Sequence, residues 1–168
     1  MIFVYVGKLN QVNKKVLKMS SLKEISSNKM FGGYQKVFSH QSKELSCEMT
    51  FAVYLPDGSE NQKFPVLYYL SGLTCNELNC VQKGGFQRYA SENGIIVVCP
   101  DTSPRNIEGL DTSGFSWDHG FGAGFYIDAT NEKYSKNFRM YSYITSELIE
   151  VINATFPGGL RRINNCED

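Results

Sequence analysis

The chain has 168 residues, 42% hydrophobic and 13% aromatic, a composition that predicts one globular domain and argues against a disordered chain. Seventeen basic residues balance seventeen acidic ones, which excludes the strongly basic surface that nucleic acid or an anionic membrane calls for. No apolar run approaches the roughly 20 residues of a membrane helix, and residues 2–6 are too short for the core of a secretory signal.

Residues 1–19 carry Lys8, Lys14, Lys15 and Lys18 among Asn and Gln without a clear period, and read as a flexible basic extension. They contain neither Arg nor Ser, the residues that transit peptides favour. Residues 36–40 predict a short strand, followed by a turn at Gln41-Ser42-Lys43. Residues 45–55 then alternate. Leu45, Cys47, Met49, Phe51, Val53 and Leu55 share one face, with Ser46, Glu48, Thr50, Ala52 and Tyr54 on the other. A period of two predicts a half-buried strand, antiparallel to its predecessor in a hairpin and ended by the turn chemistry of Pro56-Asp57-Gly58-Ser59.

Residues 65–70 and 95–100 are continuous apolar runs, which predict strands covered on both faces, as in a parallel sheet. Between them, residues 87–93 predict the end of a crossover helix, so the unit is strand, helix, strand and the class is α/β. Residues 101–137 are rich in Gly, Ser, Asp and Asn with interspersed aromatics, and connections of that length inside a domain usually carry function. In residues 140–156, Tyr141, Ile144, Leu148, Val151, Ile152 and Thr155 stand at helical spacing, with Glu147 and Glu150 outside; Pro157-Gly158-Gly159 stops the helix.

The five cysteines, Cys47, Cys75, Cys80, Cys99 and Cys166, are irregularly spaced, contain no CxxC, and are joined by only two histidines, His40 and His119. That spacing supports neither a zinc site nor a disulfide framework, and predicts reduced thiols in the cytoplasm. Asn153-Ala154-Thr155 has the form of a glycosylation sequon but reads as a chance match without secretion.

Ligands of open α/β sheets bind beyond the carboxyl ends of the parallel strands. Two segments hold that position, residues 71–75 and 101–128. In Ser71-Gly72-Leu73-Thr74-Cys75 a glycine lets backbone N–H groups approach an anion, although a plain tight turn before a helix has the same composition. In the second segment Gly120, Gly122 and Gly124 do not make a GxGxxG, which needs a strand just before it and a helix just after. Asp118 and His119 are acid–base residues by type, but neighbours in an extended loop point apart, and His119 reads as a surface histidine.

The run LYYLSGLTCNELN at 67–79 resembles the S-formylglutathione hydrolases, or esterase D family, of the α/β-hydrolase superfamily. So do ISSNKMFGGYQKVFSH at 25–40, PDTSPR at 100–105, SWDHGFGAGFYIDAT at 116–130 and RMYSYITSELIEVINATFP at 139–157, in order and nearly without gaps. The resemblance implies an α/β-hydrolase fold, mostly parallel with an N-terminal antiparallel hairpin. It further implies a serine thioesterase that converts S-formylglutathione to glutathione and formate in formaldehyde removal, and that also cleaves small carboxylic esters. Such enzymes use a Ser on a G-x-S-x-G elbow with a later Asp and His. One oxyanion N–H follows the nucleophile, and the other comes from the loop after the third strand. That second donor maps onto Leu73. Gly72, Thr74, Cys75, Trp117 and Asp118 are implied to line the substrate site, Cys75 acting either as an activity-modulating thiol or as a small hydrophobe. The implied partners are S-formylglutathione, small esters and a second copy in a homodimer, with no nucleic acid, membrane, metal or cofactor.

No G-x-S-x-G occurs in the 168 residues. Gly114-Phe115-Ser116-Trp117-Asp118 lacks the final Gly and lies in a loop, so Ser116 is not read as the nucleophile. Three segments are expected: a non-family extension at 1–19, the N-terminal half of an α/β-hydrolase domain at 20–157, cut before the nucleophile strand, and a divergent tail at 158–168. A chain without the Ser-Asp-His triad is expected to be inactive alone, since loss of a triad nucleophile lowers turnover on the order of a millionfold in a serine protease. Its strand at 65–70 is expected to be left as an exposed edge. The alternative is a non-catalytic interaction fragment that pairs with a full-length copy.

Overall fold

The strand β1 (Lys23–Lys29) carries no apolar alternation and is exposed almost throughout, so side-chain patterning gives no sign of it. Backbone pairing holds it: β1 runs antiparallel to β2 (Gly33–Gln41), from Lys23 opposite Ser39 to Lys29 opposite Tyr34. The register slips between Glu24 and Ser26, and Lys36 bonds Glu24 at 2.9 Å. A bulge and lysines are ordinary protection for an edge strand. The structure, a computed structural model, describes residues 22–60, 62–105 and 107–156, so the expected segments at 1–19 and 158–168 lie outside it.

β3 (Glu48–Pro56) completes the expected antiparallel hairpin with β2, Gly33 facing Pro56 and Gln41 facing Glu48. The expected strand start at Leu45 is displaced to Glu48, because Ser46 adopts φ 52 and breaks the extended chain. The alternation is real, but β3 is not half-buried. Met49, Phe51 and Val53 enter one apolar cluster, while Ala52 and Tyr54 enter a second on the opposite face. Helices cover both sides of this antiparallel strand, which is why its nominally outer face is also apolar.

β4 (Val66–Tyr68) and β5 (Ile96–Pro100) are the two apolar runs, and they pair in parallel, Val66 with Ile96 and Tyr68 with Val98. The sheet order is β1-β2-β3-β5-β4, with β5 antiparallel to β3. The α/β class therefore holds, and among the described residues its parallel part is the β4–β5 pair. The crossover consists of two short helices, α1 (Glu77–Lys83) and α2 (Gln87–Glu92). Asn76 caps α1, its side chain accepting from Leu78 N–H while the Asn79 side chain accepts from the Asn76 N–H, a capping box built with Asn in place of Glu. Gly85, at φ +60, separates the two helices.

The last helical stretch is interrupted. α3 (Met140–Ser142) leads into a π-helical segment, Tyr143–Glu147, before α4 (Leu148–Thr155). The wider turn rotates the buried face by about a residue relative to a regular helix. Tyr141, expected in the core, is 59% exposed, and Tyr143 is fully buried instead. Ile144, Leu148 and Ile152 are buried as the spacing predicts, whereas Val151 and Thr155 are only partly covered.

Candidate active site

Pairing of β4 with β5 continues to the Tyr69 N–H, which donates to the Val98 carbonyl at 2.8 Å. The chain then leaves the sheet through residues 71–75, next to the carboxyl end of β5. Thr74 sits at φ 65, a left-handed conformation that a β-branched residue takes only when its surroundings impose it. The Thr74 N–H donates to the Gly122 carbonyl at 2.7 Å, and the Cys75 N–H closes a turn onto the Gly72 carbonyl at 3.2 Å. The Cys75 carbonyl accepts from Thr102 Oγ1 at 2.5 Å and from Arg105 Nη2 at 3.0 Å.

Arg105 is itself held by a fork. Its Nε lies 2.7 Å from Asp101 Oδ2 and its Nη2 2.9 Å from Asp101 Oδ1. The hydrogen bonds it donates to Asp101 raise the guanidinium above its ordinary value, against the opposing effect of burial. Asp101 is buried, and its N–H donates to the Thr50 carbonyl at 3.0 Å, so the fork is anchored on β3. Glu77, at the start of α1, completes the charge group; burial pushes its carboxyl up, with Asp101 adding to the rise and Arg105 opposing it.

The glycine segment lies against this loop. Gly124 has φ +71, and a Cβ there would stand 2.8 Å from the Gly72 carbonyl carbon and 3.0 Å from the Leu73 nitrogen. Only glycine allows the two backbones to meet so closely. Gly122 N–H donates to Ser103 Oγ at 2.7 Å, and the Tyr126 hydroxyl donates to the Ser71 carbonyl at 2.6 Å. Leu73 is 40% exposed, and its N–H has no acceptor among the described residues. A Cβ on Gly72 would meet nothing within 4 Å, so the space beside the Gly72 Cα, one residue before that N–H, is open.

The structure thus gathers Gly72, Leu73, Thr74 and Cys75 around one backbone turn. Trp117 is 75% exposed, and Asp118 faces Ser116 and His119. Ser116 Oγ lies 2.7 Å from His119 Nδ1, and His119 Nε2 lies 2.6 Å from the Gly114 carbonyl. These three residue types are those of a hydrolase triad, but the arrangement differs. Asp118 bonds the serine directly instead of standing behind the imidazole to orient it, and all three groups are exposed. Hydrogen bonds from Ser116, then from His119, hold the Asp118 carboxyl below its ordinary value. The set ties a loop together, and His119 is at the surface as its sequence context predicts. The sequence places residues 101–128 at this end of the sheet, with Gly124 in their glycine-rich stretch, but gives no role to Asp101, Thr102, Arg105 or Tyr126. Of these only the Asp101–Arg105 pair, four residues apart, left a readable signal.

The family model named Esterase matches residues 42–159, which include both loops of the site. An S-formylglutathione hydrolase of Mus musculus is 56% identical over 146 residues, spanning 86% of this chain and 51% of the mouse protein. One from Rattus norvegicus is 57% identical over 145 residues, spanning 85% and 50%. The solved S-formylglutathione hydrolase of Agrobacterium tumefaciens superposes with a TM-score of 0.77 at 50% identity, covering 82% of this chain and 49% of that one. A fluorophosphonate-binding serine hydrolase of Staphylococcus aureus, at 20% identity and a TM-score of 0.54, shares the fold. The chain spans about half the length of the curated relatives it matches. On the family model and these likenesses together, the chain belongs to the esterase family, as a relative of the S-formylglutathione hydrolases built on the α/β-hydrolase fold.

Proposed function

We propose that the chain serves thioester and ester hydrolysis with S-formylglutathione as substrate, and that the Leu73 backbone N–H is one of two donors to the oxyanion. The observation that carries this reading is that N–H, unpaired among the described residues, beside open space at Gly72, and fixed from behind by Gly124. As a nucleophile adds to the thioester carbonyl, the oxygen gains negative charge. A donor already aimed at it then stabilises the transition state without reorganising. Thr74 and Cys75 fix the direction of the turn through the Gly122, Thr102 and Arg105 bonds. The 168 residues hold no G-x-S-x-G, so the reading takes residues 20–157 as the N-terminal half of the domain. It needs the Ser, Asp and His from the half of the relatives with which this chain does not align. The proposed setting is formaldehyde removal in the cytoplasm by a homodimer, in keeping with the four unpaired cysteines among the described residues.

The test joins this chain to the unaligned half of the mouse relative. The joined protein is expected to hydrolyse S-formylglutathione, and the 168-residue chain alone is expected not to. Leu73→Pro deletes the N–H and is expected to lower kcat by about 10²–10³-fold, with fluorophosphonate labelling of the serine retained as the check on folding. A labelled Leu73→Pro protein with unchanged kcat overturns the oxyanion role. A labelled parent protein with no turnover of S-formylglutathione overturns the substrate.

A further inference from the structure

Helix α1 and strand β5 each place one cysteine in the apolar layer between them. Cys80 is 2% exposed and Cys99 is 1% exposed, both in the cluster that also holds Ala52, Tyr54 and Val97. Their sulfurs are 2.8 Å apart. That is close approach for two unbonded sulfurs, and only a small movement separates it from the roughly 2.05 Å of a disulfide. Nothing in the linear spacing announces the pair, which lies 19 residues apart. Cys47 packs in the other core cluster, on the far face of the sheet, and Cys75 lies in the loop of the candidate site.

We propose that Cys80 and Cys99 are an oxidative modification site, joined as an intramolecular disulfide when the protein meets a peroxide. The Cys99 thiol donates its hydrogen to the Cys80 sulfur. That bond, with burial second, holds Cys99 well above the ordinary thiol range, and a donated hydrogen stabilises negative charge on the sulfur that accepts it, so the first attack is assigned to Cys80. The Cys80 thiolate attacks one peroxide oxygen, the O–O bond breaks, and the departing hydroxide takes a proton to become water. The sulfur is left as a sulfenic acid. The Cys99 sulfur then attacks it, the S–S bond forms, and the sulfenic hydroxyl leaves with the Cys99 proton as a second water. Two thiols and one peroxide give one disulfide and two waters, and two electrons pass from sulfur to oxygen. A small oxidant suits a buried pair, which it reaches through local opening of the seven-residue α1.

The position gives the bond a consequence. Asn76, the cap of α1, directly follows Cys75, and β5 runs straight into Asp101 and Thr102, which hold Cys75 directly or through Arg105. A Cys80–Cys99 bond therefore ties together the two elements from which the loop at residues 71–75 is supported. This inference stands on the packing of α1 against β5 and does not depend on the proposed hydrolysis.

The experiment treats the native 168-residue chain with hydrogen peroxide, alkylates remaining thiols after denaturation, and maps unreduced peptides by mass spectrometry. The expected result is a peptide linking Cys80 to Cys99, two hydrogens lighter than its reduced parts, that disappears with dithiothreitol. Recovery of Cys80 and Cys99 as alkylated thiols, or linked to Cys47 or Cys75, overturns the proposal. In Cys99→Ala the same treatment is expected to leave a Cys80 sulfenic acid that dimedone captures. An unoxidised Cys80 in that variant overturns the order of the two steps.

Discussion

The Glu147 carboxylate gathers the connection between β2 and β3. It accepts from Ser42 Oγ at 2.6 Å, from the Lys43 N–H at 2.7 Å and from the Glu44 N–H at 3.1 Å. Hydrogen bonds to a charged acceptor contribute about 1.5–3 kcal/mol. Glu147→Gln keeps the shape but removes the charge and one acceptor, and is expected to destabilise the chain by about 1–2 kcal/mol in urea denaturation. His40 sits nearby, its Nε2 3.0 Å from the Tyr143 hydroxyl and its Nδ1 buried without a partner. Burial lowers the His40 pKa from 6.5, with Glu147 pulling the other way. The unfolded chain takes up a proton near 6.5 while the folded one resists it. The stability from neutral His40 is therefore complete above that pH and is lost as pH falls through it toward the folded value. His40→Phe is expected to flatten the stability slope between pH 7 and 5, measured by urea midpoints. A slope identical to the parent's would contradict this account.

At the level of elements, the contact between the two loops matters most. Gly124→Ala forces a Cβ onto the Gly72–Leu73 backbone at a positive φ. Strain of this kind costs of order 1–3 kcal/mol, and the expected readouts are a lowered thermal midpoint and faster amide exchange at Thr74. Unchanged exchange at Thr74 would show that the glycine segment does not hold the loop. The π-helical segment is the other decisive element. Its residues 143–147 have the same apolar spacing whether the helix is regular or widened, so periodicity alone misplaced Tyr141 and left Tyr143 unnoticed. β1 was missed for a related reason: its stability comes from a backbone ladder that leaves no mark in side-chain pattern. By contrast the turn at residues 71–75 was legible, since a small-residue sequence after an apolar run identifies the end of a buried strand. The bonds that hold it, from Thr102, Arg105 and Gly122, come from distant parts of the chain.

For the molecule as a whole, β4 is an edge of the sheet among the described residues. Beside it lies an apolar cavity of about 250 Å³ lined by Tyr68, Leu70, Tyr126, Ile144 and Ile149. A strand edge next to apolar surface is a template for association. The 168-residue chain by itself is expected to self-associate in sedimentation, or to co-purify with a full-length relative as the interaction-fragment alternative has it. Leu70→Lys, which places a charge in the cavity, is expected to weaken the association. A monodisperse monomer with a sharp, reversible thermal transition would remove both expectations.

The residues by themselves determined the α/β class, the hairpin of β2 and β3, the two apolar strands, the turn at 71–75 and the family resemblance. Periodicity, turn chemistry and motif order are local properties that survive without coordinates. Only the tertiary structure decided that β3 is covered on both faces, that Glu147 reaches residues 103 to 105 positions away, and that Cys80 meets Cys99. The reason is physical. Each of these contacts depends on sheet register and on where the helices pack, and those are settled by the chain as a whole.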